Sequence, residues 1–149
     1  MIGCVAIQAP FSEDDSQVLP VATGGLQNRI VIAEDHDEFR YLLREAFEDA
    51  GYRVTECIDG NDLYGELTRG DTSDLAAVVS DHRMPGMLGL DVLARLGRKR
   101  PRAPFILITA FGDHSVHWRA RHLAADLVVN KPLEEDELVR AVEMLRGVQ

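Results

Sequence analysis

Several apolar runs in this chain stop abruptly at a residue that could bind a cation or a phosphate. Ile30-Val31-Ile32-Ala33 runs into Glu34-Asp35, and Ala76 to Ser80 runs into Asp81. Phe105 to Ile108 runs into Thr109-Ala110, and Asp126 to Val129 into Asn130-Lys131-Pro132. Three carboxylates at one place repel each other unless a cation sits among them. Hard, partly hydrated oxygen ligands suit Mg²⁺, which prefers octahedral geometry and keeps company with phosphate oxygens. Thr109 supplies a hydroxyl. Lys131 supplies an ammonium that can hold a phosphoryl oxygen as a point charge. A metal clamp, a carboxylate nucleophile, a hydroxyl and a cation are the parts that phosphoryl transfer to an aspartate needs.

For these residues to meet, the runs must be neighbouring strands with their ends on one rim. Ala76 to Val79 is apolar throughout, without alternation, which reads as a strand buried on both faces. Pro85-Gly86 then turns the chain away. After the first strand, Phe39, Leu42, Leu43, Ala46, Phe47 and Ala50 recur at helical spacing, with Asp35 or Asp37 as the cap and Gly51 as the stop. Tyr52 to Cys57 reads as a second strand, and a short helix runs to about Arg69. Further helices follow over about 88–98, 113–123 and 134–146, the last turning Leu138, Ala141, Val142 and Leu145 inward.

Five strand–helix pairs in alternation predict an α/β fold, a five-stranded parallel sheet with five helices on its two faces. The doubly wound, flavodoxin-like order 2-1-3-4-5 fits this length. Its switch point falls between strands 1 and 3, which end in Glu34-Asp35 and Asp81.

The chain has 149 residues and a formal charge of −9, with Lys99 and Lys131 its sole lysines. This argues for one domain with its own core and against general nucleic-acid binding. Cys4 and Cys57 have no metal-site or disulfide-framework spacing, so a reducing compartment is the default. No apolar run approaches the roughly 20 residues that span a bilayer, and no Lys or Arg precedes Arg29 to make a signal peptide. Residues 1–28, with acidic Ser12 to Ser16 and the Pro- and Gly-bearing stretch 19–25, read as a flexible tail and linker ahead of a domain over 29–147. Whether Val5, Ile7 and Phe11 instead pack on a surface stays open.

The acidic pair Glu34-Asp35, Asp81 with Met84-Pro85 and Gly89 behind it, Thr109-Ala110 and Lys131-Pro132, in this order at strand ends, resemble the receiver domain of two-component response regulators. The resemblance covers Arg29 to about Gly147. It implies that Asp81 accepts a phosphoryl group from a histidine kinase, a phosphotransfer protein or a small phosphodonor. It also implies that Glu34, Asp35, Asp81 and the backbone carbonyl of Arg83 hold Mg²⁺, and that Thr109 and Lys131 bind the phosphoryl oxygens. Such a domain is a switch and not a conventional enzyme, although it catalyses its own phosphorylation and slow aspartyl-phosphate hydrolysis. The resemblance implies a cytoplasmic setting and an unidentified downstream protein, met through the face of the fourth helix, fifth strand and fifth helix. A homodimer is compatible with it; membrane and nucleic-acid contacts by this domain are not expected. Two features qualify the match. Val128 stands where receivers commonly carry Tyr or Phe, and Arg83 and Phe111 occupy positions expected to tune phosphoryl lifetime.

Other readings compete. A phosphorylation-independent interaction module would keep the fold without using the pocket, which the intact acidic, hydroxyl and lysine set argues against. Asp35-His36-Asp37 resembles the DxD of haloacid-dehalogenase-like phosphatases, but Phe39 stands where that family has Thr or Val, and Asp81 is left without a role. His114, His117 and His122 could suggest a metal, yet no carboxylate or Cys partner is evident and a solvated helix is favoured. Trp118 is equally compatible with core and interface. Arg95, Arg98, Lys99, Arg100 and Arg102 read as a solvated basic loop, with contact to an acidic partner or nucleic acid as the alternative.

Overall fold

The computed structural model describes residues 27–110 and 112–147. The expectations for residues 1–26 and for Phe111 fall outside them. Five strands, β1 (Arg29–Ala33), β2 (Arg53–Cys57), β3 (Leu75–Asp81), β4 (Phe105–Ala110) and β5 (Leu127–Lys131), alternate with five helices. These are α1 (Asp37–Asp49), α2 (Gly60–Arg69), α3 (Gly89–Leu96), α4 (His114–His122) and α5 (Glu135–Arg146), with a 3₁₀ turn over Gly97–Lys99 after α3. The sheet is parallel in the order β2-β1-β3-β4-β5, the doubly wound arrangement expected from the sequence.

Strand side chains alternate between faces, so strands covered on both sides must be apolar at every position. Ile30, Ile32, Val79, Ile106 and Ile108 join Leu43 and Phe47 of α1 and Leu138 and Val142 of α5 in one core. Val31, Ala33, Val78 and Leu107 join Leu63, Leu67, Leu90, Leu93, Leu96, Val116 and Ala120 in the other. Each fully buried Leu, Ile or Phe contributes roughly 1.5–3 kcal/mol relative to exposure. All seven residues of β3 are buried, as expected of the central strand.

Several helix faces differ from the periodic reading. Leu42 and Leu145 are exposed at 41% and 39%, and Ala50 ends α1 as its exposed C-cap. The apolar stripe is narrower than the spacing suggested because the sheet covers only part of each helix. The cap of α1 is neither Asp35 nor Asp37. It is His36, whose Nδ1 accepts from Phe39 N at 3.3 Å. Trp118 is 60% exposed, which removes it from the core.

Candidate functional site

The site forms because adjacent strands end in step. Ala33 pairs with Ser80, so Glu34 and Asp81 follow as neighbours across β1 and β3. Asp81 pairs with Ile108, one residue before Thr109, and Thr109 pairs with Asn130, one residue before Lys131. A one-residue slip would turn these side chains to the opposite face. The buried strands therefore hold the register that the chemistry needs.

Carboxylate oxygens of Glu34, Asp35 and Asp81 all lie within 4.8 Å of one another. Among the described residues they make up the one cluster of three or more His, Cys, Asp or Glu side chains placed to hold a metal ion. Glu34 and Asp81 are buried, at 1% and 6% exposure, and Asp35 faces solvent. Lys131 Nζ donates to Asp81 Oδ2 at 3.1 Å, lies 4.0 Å from Glu34 Oε1 and sits over the Phe39 ring at 5.5 Å. Thr109 is buried at the same rim. The predicted side chains thus meet at one rim; for Arg83 the expected ligand is the backbone carbonyl. Its side chain is exposed and leans toward Asp113 at 3.8 Å, leaving its carbonyl two residues beyond Asp81 as the atom in question.

Glu34 shows what this convergence costs. Its Oε2 accepts from His36 N at 3.0 Å, but buried Oε1 has no hydrogen-bond partner. Burial, reinforced by Asp81 and Asp35, pushes its pKa up from 4.5 to about 7 despite the opposing His36 N–H and Lys131. A buried carboxylate oxygen without a donor is a costly arrangement in a protein alone. It fits a hard divalent cation, whose ligand set would be completed by Asp35 and Asp81.

One residue that sequence reasoning passed over, His82, helps to shape the rim. His82 is buried, and burial lowers its pKa, so it serves as a neutral clamp. Its N donates to Ile108 O at 2.8 Å, its carbonyl accepts from Gly89 N at 2.8 Å, and its Nδ1 accepts from Leu90 N at 3.3 Å. Gly89 is required here, because a Cβ would come within 2.7 Å of Asp81 O. His36 and Phe39 of the α1 entry line a cleft of about 580 Å³ with Ala110, Lys131, Pro132 and Leu133. The Lys131-Pro132 bond in its wall is cis. No local sequence signal marks His82, whose three partners come from two other segments.

Several members of the remaining candidate clusters have structural partners. His117 Nε2 lies 2.7 Å from Asn130 Oδ1, and His122 Nδ1–H donates to Trp118 O at 2.9 Å; neither belongs to the one metal-competent cluster among the described residues, which is the acidic trio. Arg95 sits over the Tyr64 ring, and Arg100 holds Asp126 at 2.9 Å. Val128 is half-buried and packs against the α2–α3–α4 core. Cys57 is buried, which pushes its thiol up to about 12.

Residues 30–143 match the response regulator receiver domain family. The chain belongs to that family. It is 33% identical over 112 residues to the DNA-binding transcriptional regulator NtrC of Klebsiella pneumoniae, covering 75% of this chain and 23% of that protein. It is 32% identical over 124 residues to the transcriptional regulatory protein PdtaR of Mycobacterium tuberculosis, covering 83% and 58% respectively. The receiver thus spans about a quarter to somewhat over half of these relatives' lengths. Among solved structures, the Thermotoga maritima response regulator TrrA in complex with Mg²⁺-BeF is 29% identical, with a TM-score of 0.68, covering 80% of this chain and 99% of that one. The receiver domain of a Francisella response regulator, at 21% identity and a TM-score of 0.72, shares the fold over 81% of this chain. No helix among the described residues is long and apolar enough to cross a membrane.

Proposed function

We propose that this receiver is a phosphorylation-controlled switch in which Asp81 accepts a phosphoryl group and the change is read by another protein. The observation that carries the reading is the meeting of Glu34, Asp35 and Asp81 within 4.8 Å, with Lys131 Nζ 3.1 Å from Asp81. Glu34, Asp35, Asp81 and the Arg83 carbonyl would hold Mg²⁺, which when bound neutralises charge on the transferring phosphoryl group. The solved TrrA relative, described as a complex with Mg²⁺ and a beryllium fluoride, supports this assignment.

The protein's own groups divide the remaining work. An Asp81 carboxylate oxygen attacks phosphorus as the bond to the donor breaks, and the donor leaves with the electron pair of that bond. With phosphohistidine as donor, the leaving imidazole keeps or gains a proton from solvent. Lys131 is poised to exchange its bond to Asp81 for one to a phosphoryl oxygen, and buried Thr109 offers its hydroxyl to another. The cleft between His36, Phe39 and Leu133 gives the donor access from the α1 side. The donor is a histidine kinase or phosphotransfer protein in a cytoplasmic setting, and the readout is a changed protein contact on the α4–β5–α5 face. Catalysis rests on positioning and electrostatics, as is general for phosphoryl transfer.

Acetyl phosphate labelling followed by intact mass tests the reading. With Mg²⁺ the protein should gain one phosphoryl group, and the gain should vanish in Asp81→Asn or with EDTA. Absence of both labelling and beryllofluoride binding would leave the phosphorylation-independent module in its place.

A further inference from the structure

We propose that the outer face of α4, with the neighbouring α3–β4 connection, is a docking surface for an acidic segment of a partner protein that carries an aromatic or other bulky apolar residue. Within α4, His114, Ser115, Trp118, Arg121 and His122 are exposed, and this spacing places them along one side of the helix. Trp118 is 60% exposed, with the His122 ring stacked on it at 3.9 Å and 32°. The bond from His122 Nδ1–H to Trp118 O at 2.9 Å holds that ring in place. The indole is therefore a preordered platform, which loses little side-chain entropy when covered.

Cations gather in α4 and in the connection that meets its C-terminal end. Neither α4 nor the stretch from Gly97 to Pro104 contains an acidic residue, and together they carry Arg98, Lys99, Arg100, Arg102, Arg119 and Arg121. Arg100 ties the two segments together, donating to Ala124 O at 2.8 Å just beyond the end of α4 and to Asp126 at 2.9 Å. Arg119 is occupied by Asp91 at 3.3 Å. Arg98, Lys99, Arg102 and Arg121 are exposed and form no ion pair with any described residue. Such a concentration of cations stands out in a chain whose formal charge is −9.

That same overall charge decides between classes of occupant. A nucleic acid would follow the cations with a long row of phosphates and meet an otherwise acidic body. A short acidic peptide places its few charges inside the patch and its apolar side chain on Trp118, an arrangement of aromatic anchor and charged rim common at interfaces. The inference deepens the switch reading by giving the chemistry of the partner, and rests on that reading for the need of one. Binding is measured without phosphorylation, so each can fail alone.

Trp118 is the chain's one tryptophan, so its emission reports the patch directly. The full chain is titrated with a synthetic peptide of Glu and Ser residues around a single Phe, with its Gln-for-Glu counterpart and with single-stranded oligothymidylate. The expected result is a saturable change with the acidic peptide that is at least about tenfold weaker for the neutral peptide and weakens as salt rises. R98E/R102E should lose about tenfold in affinity while retaining the far-ultraviolet spectrum and Mg²⁺-dependent labelling of Asp81. Trp118→Ala, followed by peptide anisotropy, should lose a similar factor. Equal binding of both peptides, tighter binding of the oligonucleotide, or no response to any probe would overturn the proposal. So would a protein-concentration-dependent change without peptide, which would make a second copy the occupant. If neutralising Glu13, Asp14 and Asp15 raised peptide affinity about tenfold, the chain's own acidic stretch would be the occupant, and the proposal would again fall.

Discussion

Where the strands begin, Arg29 donates from Nε and Nη2 to Asp74 at 3.0 Å each, from Nη1 to Thr55 and Glu66, and from Nη2 to Asp71 O. Arg53 adds a second guanidinium to Asp74 at 2.9 Å, and Arg146 donates to Gln27 O and the Tyr52 hydroxyl. Where the strands end, Glu34, Asp35 and Asp81 face a single lysine, and Glu34 Oε1 has no hydrogen-bond partner. One rim of the same sheet matches its charges within the protein. The other accumulates like charge that only a ligand could balance. Both rims are polar and partly buried, so polarity alone does not separate structural charge from functional charge. The separation lies in whether the hydrogen bonds close.

Substitution should break this contrast most at the closed rim. Arg29→Met leaves Asp74 and Glu66 without their main cation and should cost about 3–5 kcal/mol in urea unfolding. At the open rim the sign reverses. Glu34 has a raised pKa, so its folded form holds a proton that its unfolded form has released. Its stabilising contribution is complete below pH 4.5 and is lost as pH rises through about 7. In EDTA, Glu34→Gln should therefore be more stable than wild type by about 3 kcal/mol at pH 8. The two should converge near pH 4.5, and a parallel pH dependence would contradict the assignment.

Smaller effects sharpen the same contrast. At about ten times its dissociation constant, Mg²⁺ should stabilise the wild type by about 1.4 kcal/mol in thermal melts. Most of that gain should disappear in Glu34→Gln. The smallest effect belongs to Arg53→Ala, whose side chain is 60% exposed although it meets the same carboxylate as Arg29. Chemical denaturation should detect no more than about 1 kcal/mol there. A loss equal to that of Arg29→Met would show that burial is not what distinguishes them.

Much of the site was legible because the strand runs of a doubly wound sheet are unusually plain in sequence. The unbroken apolar runs Ile30–Ala33, Leu75–Val79 and Phe105–Ile108 inside β1, β3 and β4 located the strands, and the switch-point rule placed their ends together. Features depending on packing between distant segments were not legible. Leu42 and Leu145 carry the helical period but face solvent, because periodicity gives a direction around a helix and not the width of the sheet beneath it. His36 displaced its acidic neighbours as the cap because backbone entry into α1 decides which side chain reaches Phe39 N. His82 draws its partners from β4 and α3, and the Arg29 network from β2, α2 and the connection before β3.

The sequence by itself determined the alternation of strands and helices, and with it the fold class, and it placed Glu34, Asp35, Asp81, Thr109 and Lys131 at the ends of apolar runs, since these are local features. Tertiary structure alone decided that Glu34 Oε1 is orphaned, that Lys131 rests on Asp81, and that Trp118 lies on the surface. Burial and hydrogen-bond closure depend on what other segments place around a group. Residue type and spacing do not carry that information.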